Sequence, residues 1–189
     1  MRATSAGQSV LLLLDVVSLL DKRGIEYGVV GALAGAVYGA IRATIDADAL
    51  ISMSPSQLPD LENFFGKAGF TAVLSRGDAD DPIPAMLAIS DEFGNRVDLL
   101  GGLRGLDPEA FSRTQAVPFF GTTLRVIGRE DFIAMKCFAG GPLDIADAQE
   151  AIRAANRPAR AVIGRASPSS SPSRPWSRDG NRPRRRPSR

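Results

Sequence analysis

At 189 residues, 44% of them hydrophobic, the chain is long enough for one compact domain with a real core and too short for two. It has no histidine and a single cysteine, Cys137, which excludes Ser-His-Asp and Cys-His catalysis, His-ligated zinc, an internal disulfide and any cysteine-held cluster; carboxylates with metals are the polar chemistry left, in a reducing cytoplasm. The net charge of +2 hides a division: residues 157–189 hold ten Arg and one Asp, so residues 1–156, with 13 Lys+Arg against 20 Asp+Glu, carry −7.

The first predicted element is a helix over Ser9–Arg23, with Ser9 as its N-cap and Gly24 as its stop. Its apolar run from Val10 to Leu14 is interrupted by Asp15, Ser18, Asp21 and Lys22 at helical spacing, the pattern of an amphipathic helix in a soluble protein and not of a signal peptide or membrane span. A strand over Glu26–Val30 leads into a small-residue helix, Gly31–Ala40, where Gly35 predicts close approach by a neighbour or a ligand. The next strand carries Asp46 and Asp48 two residues apart, hence on one face, among Ile45, Ala47, Ala49, Leu50 and Ile51.

A surface helix over Pro55–Ala68 turns Leu58, Leu61, Phe64 and Phe65 inward, and a strand follows at Phe70–Leu74. Asp78, Asp80 and Asp81 fall in a polar loop that lacks the glycine and terminal glutamate of a calcium loop. Met86–Ser90 and Arg96–Leu100 read as a hairpin that sets Asp98 near the sheet centre, and two further strands are expected at Val117–Phe120 and Thr123–Ile127. A helix over Arg129–Ala139, with Phe132, Met135 and Phe138 toward the core and Cys137 buried, breaks at Gly140-Gly141-Pro142 before a last helix over Leu143–Ala155. From Arg157 the Arg, Pro and Ser content cannot offset the entropy of ordering the backbone. The expected organisation is one domain over 1–156 and a disordered basic tail over 157–189, the latter either an arm for nucleic acid or a bare extension.

Two like charges held on one strand face repel each other and are costly to bury until a cation relieves them. If the strand of Asp98 neighbours that of Asp46 and Asp48, the three converge as ligands for Mg²⁺ or Mn²⁺, and the Gly31-Ala32 turn at a helix start offers amides to phosphates. The order of Gly31-Ala32, thirteen residues, Asp46-Ala47-Asp48 and a later Asp98 resembles the DNA polymerase β-like nucleotidyltransferase superfamily. The run Arg42-Ala-Thr-Ile-Asp46-Ala-Asp48, the segment Glu130 to Lys136, and Asp144 with Asp147 are similar to its small bacterial branch, that of the AbiEii-type toxins and minimal nucleotidyltransferases.

The resemblance implies an α+β fold, a small mixed sheet backed by helices, and transfer of a nucleoside monophosphate from an NTP to an acceptor hydroxyl on RNA or protein. It implies Asp46, Asp48 and Asp98 as catalytic metal ligands, Gly31, Ala32, Arg42 and Lys136 as nucleotide contacts, and a cognate antitoxin or other partner protein. The sequence departs from the pattern at Ala32, in place of Gly or Ser, at Tyr38, in place of His, and at Gly140-Gly141-Pro142-Leu143, which lacks two customary cations. Two other readings stay open at this point: a catalytically silent nucleotide-binding or interaction domain of the same fold, and a small-molecule, aminoglycoside-type nucleotidyltransferase.

Overall fold

Strands that are apolar on either side of a single acid have both faces covered, and such strands belong in the middle of a sheet. The computed structural model, which describes residues 2–155, puts the acid-bearing strands there. In chain order the elements are α1 (Ser9–Lys22), β1 (Tyr27–Val29), α2 (Gly31–Tyr38), β2 (Ala47–Ile51), α3 (Leu58–Lys67), β3 (Thr71–Arg76), β4 (Ala85–Ser90), β5 (Arg96–Gly101), a 3₁₀ turn (Pro108–Phe111), β6 (Gln115–Phe119), β7 (Thr122–Val126), α4 (Arg129–Ala139) and α5 (Pro142–Arg153). The basic segment 157–189 and the boundary expected at 156 lie outside the described residues.

The seven strands form one sheet in the order β3-β4-β5-β2-β1-β7-β6. β2 runs parallel to β5 and antiparallel to β1, β1 is parallel to β7, and the remaining pairs are antiparallel. The sheet is thus mixed, as expected for this α+β chain. α1 lies on β2 and β5, α3 on β3 and β4, and α2 on β2, while α4 and α5 pack on each other and on α2. Leu12, Leu13, Val16, Val17 and Leu20 of α1, with Leu58, Leu61 and Phe65 of α3, are buried in the core. No helix among the described residues is long and apolar enough to cross a membrane.

Four local expectations need correction. β2 begins at Ala47, so Asp46 stands in the bend before it; the Thr44 hydroxyl donates to the Asp46 carbonyl at 2.8 Å and takes that group out of the ladder. Ser9 does not cap α1. Gln8 holds that position, and the Ser9 hydroxyl instead donates to the Ile45 carbonyl (2.6 Å) and accepts the Arg96 amide (3.1 Å), tying the starts of β2 and β5 together. Phe138 is 68% exposed and Cys137 is exposed, because α4 ends at a left-handed Gly140 and the chain turns at once into α5, leaving the last turn of α4 uncovered.

Candidate active site

The parallel register of β2 and β5 places Asp48 directly beside Asp98, and Ala47 beside Val97. Side chains in register on neighbouring strands point to the same face, so residues fifty positions apart share one spot at the sheet centre. Asp98 is 8% exposed and Asp48 partly buried. Arg96, two residues before Asp98 and on its face, donates from Nε to Asp98 Oδ1 at 2.7 Å.

On the other side of β2, β1 pairs Val29 with Ala49, and the Val30 amide continues the ladder to the Asp48 carbonyl at 2.9 Å. The next residue, Gly31, has φ +61° and opens α2. A Cβ at this position would stand 2.1 Å from Asp48 Oδ2, so the turn lies against the carboxylate only because residue 31 has no side chain. The first hydrogen bond into α2 is from the Ala34 amide to the Val30 carbonyl, 3.3 Å. The amides from Gly31 to Leu33 therefore precede the helical ladder, next to the acids, at the positive end of the helix.

Burial pushes the Asp48 carboxyl above the ordinary aspartate range, the charges of Asp98 and Asp46 push it further, and Arg42 and Lys136 oppose them. The predicted acids and cations thus act on one another across the space at the C-terminal end of β1, although they come from three separate segments. Among the described residues, Asp46 and Asp48 accept no side-chain hydrogen bond, and no three acidic, histidine or cysteine side chains are gathered at distances that would hold a metal ion as they stand. The donor set nevertheless suits a hard divalent cation: it offers carboxylate oxygens alone, one of them disfavoured in its charged form until positive charge arrives.

Three solved structures share this architecture. A protein of Thermotoga maritima assigned to the nucleotidyltransferases matches with a TM-score of 0.57 at 14% identity, over 79% of this chain and 93% of that one. The antibiotic-resistance factor ANT(2'')-Ia, solved with adenylyl-2''-tobramycin, gives 0.55 at 15% identity, over 78% and 90%. An antigenic nucleotidyltransferase-like protein of Paracoccidioides brasiliensis gives 0.53 at 16% identity, over 80% and 78%. The chain has the nucleotidyltransferase fold. No protein-family model and no curated protein matches its sequence.

In this nucleotidyltransferase fold the remaining predicted residues divide. Arg42 and Lys136 converge on Asp147 of α5, whose Oδ2 lies 3.4 Å from Arg42 Nε and 3.0 Å from Lys136 Nζ; Lys136 also meets Asp144 at 2.7 Å. Asp147 Oδ2 is buried and accepts no hydrogen bond of good geometry, so the ion contacts alone hold it. The Ala32 methyl is buried, which leaves its amide as the group that can face a ligand. Gly35 is packed by protein: a Cβ there would stand 3.1 Å from the Ala40 carbonyl and 3.5 Å from the Phe132 ring. Tyr38 is structural. Its hydroxyl donates to the Ile127 carbonyl, its ring packs on Phe132 at 5.7 Å under the Arg129 guanidinium, and burial pushes its phenol to about 12.

Sequence reasoning missed Ser9 and Arg96. A serine at the start of an apolar helix reads as a cap, and an arginine at a strand start reads as solvated. What separates these two from the general run is that both belong to the short set of residues joining α1 to the sheet next to the acids, which periodicity does not reveal.

Proposed function

We propose that the chain is a divalent-metal-dependent nucleotidyltransferase that moves a nucleoside monophosphate from an NTP to an acceptor hydroxyl. The observation that carries this reading is the contact of the Gly31 turn with Asp48, in register with Asp98: a glycine bend, a helix start and paired carboxylates stand at one point of the sheet. The fold likeness supports it, since two of the matched structures are described as a nucleotidyltransferase or nucleotidyltransferase-like and a third was solved with an adenylylated antibiotic.

In this reading Asp46, Asp48 and Asp98 hold Mg²⁺ or Mn²⁺, and Gly31 and Ala32 offer backbone amides to the triphosphate. The metal supplies positive charge to the phosphates and acidifies the attacking hydroxyl. Lys136 and Arg42, kept near Asp48 by Asp147, meet the triphosphate, and Asp98, the most buried of the acids, faces the acceptor. The acceptor oxygen bonds to the α-phosphorus, the bond to the bridging oxygen breaks, and pyrophosphate leaves with the acceptor's proton passed to a carboxylate or to water.

The run Arg42 to Asp48 and the pair Asp144 and Asp147 ally the chain with the toxin-like branch, with RNA or protein as acceptor and a cognate antitoxin as partner. A small cationic acceptor is the second reading, favoured by the net charge of −7 over residues 1–156, which attracts a polycation and repels nucleic acid. Incubation with each α-labelled NTP and Mg²⁺, against total RNA, the protein itself and aminoglycosides, separates these acceptors. Label transfer to one of them, abolished by Asp46→Ala, is the expected result. NTP binding with no transfer to any acceptor would instead make the chain a silent nucleotide-binding domain.

A further inference from the structure

We propose that Arg96 is the built-in counter-ion of the acid cluster, its guanidinium occupying, against Asp98 and beside Asp46 and Asp48, the place a divalent cation has to take. The inference rests on the nucleotidyltransferase reading of the site and adds a residue to it. Arg96 Nε donates to Asp98 Oδ1 at 2.7 Å, and the two residues share a face of β5. The parallel register of the two strands begins with Ala47 beside Val97, and Asp46 stands in the bend just before it. The Ser9 hydroxyl fixes this alignment, since it accepts the Arg96 amide and donates to the carbonyl of Ile45, the residue before Asp46.

The electrostatics agree. The hydrogen bond to Asp98 is the largest influence holding the Arg96 guanidinium charged, and Asp98, Asp46 and Asp48 all add to it through space. The Arg96 side chain is 41% exposed where that of Asp98 is 12% exposed, so the cation sits at the wet mouth of the cluster and can leave without opening the core. A divalent cation that takes Asp98 Oδ1 displaces Arg96 from it, and on this proposal metal affinity in the unmodified protein is the difference between two competing cations.

Mn²⁺ binding to the full chain, followed by the paramagnetic resonance of the free ion, tests this without recourse to activity. Arg96→Gln is expected to bind Mn²⁺ about tenfold tighter than the unmodified protein, the effect of removing one charge-assisted competitor, whereas Arg96→Lys stays close to it. Asp48→Asn should abolish binding in every background. Equal or weaker binding by Arg96→Gln, still lost with Asp48→Asn, overturns the counter-ion role and leaves the site reading standing; binding indifferent to Asp48→Asn, or no binding at all, overturns both. In the unmodified protein, where folding of a variant is not in question, saturating Mg²⁺ should move the Arg96 Nε–H resonance to the position of a free arginine. A resonance that stays in place contradicts the displacement.

Discussion

Asp48→Asn is expected to lower nucleotidyl transfer by about a thousandfold and, at neutral pH, to make the protein more heat-stable. The two effects have one cause. Burial, then Asp98 and Asp46, hold the Asp48 carboxyl above the ordinary aspartate value of 3.8, so the native state binds that proton more tightly than the unfolded chain. For a carboxyl raised in this way, the contribution to stability is present below the ordinary value and lost as pH rises through the native one. At pH 7 the ionised group therefore opposes folding, and asparagine removes the opposition while keeping the shape. The melting temperature should rise by roughly 2–4 °C, the usual effect of one stabilising substitution in a domain of this size, and the gain should fade as pH falls through the ordinary value of 3.8. Mg²⁺ should give the unmodified protein a similar gain and the variant none. Calorimetric melts across pH read all of this, and a variant less stable than the parent at pH 7 would mean that Asp48 is held by compensating contacts and is not waiting for a cation.

Gly31→Ala is expected to damage both folding and chemistry. At φ +61° an alanine adopts the left-handed region at a cost of about 1–2 kcal/mol. Its Cβ would also arrive 2.1 Å from Asp48 Oδ2, so either the carboxylate rotates away or the turn between β1 and α2 lifts off β2. Total destabilisation of about 2–3 kcal/mol is expected, with nucleotidyl transfer down about a hundredfold because the amides and the acid lose their alignment. The clash has a signature that strain alone does not. In an Asp48→Ala background the stability cost of Gly31→Ala should shrink to that of the backbone conformation, and the double-mutant cycle measures the difference as a coupling between the two positions. Additive costs would show that the turn and the carboxylate do not touch.

Much of this architecture is legible in the sequence because burial leaves a periodic trace. The polar stripe of Asp15, Ser18 and Lys22 marks the outer face of α1, and the apolar neighbours of Asp98 mark β5 as central. The pairing of strands leaves no such trace. That Asp48 meets Asp98, and that Gly31 closes on Asp48, follows from β2 lying between β5 and β1, an order set by where α1 and α2 can bury their faces. Side-chain hydrogen bonding is equally hidden: the Thr44 hydroxyl that takes Asp46 out of β2 acts locally, and the Ser9 hydroxyl joins two strand starts far away in the chain instead of capping a helix. Phe138 misled for a related reason, since its spacing from Phe132 and Met135 is that of a core position, yet Gly140 ends the helix before any element can cover it.

All of these expectations depend on acids from two strands sharing a cation beside the Gly31 turn. Crystals grown with Mn²⁺ and a non-hydrolysable NTP analogue, measured at the manganese edge, locate that cation by its anomalous scattering. A peak bonded to Asp48 and Asp98, with the analogue's phosphates against the amides of Gly31 and Ala32 and the Arg96 guanidinium displaced from Asp98, is the expected result. Manganese bound elsewhere, or an analogue that leaves Asp98 paired with Arg96, would contradict it.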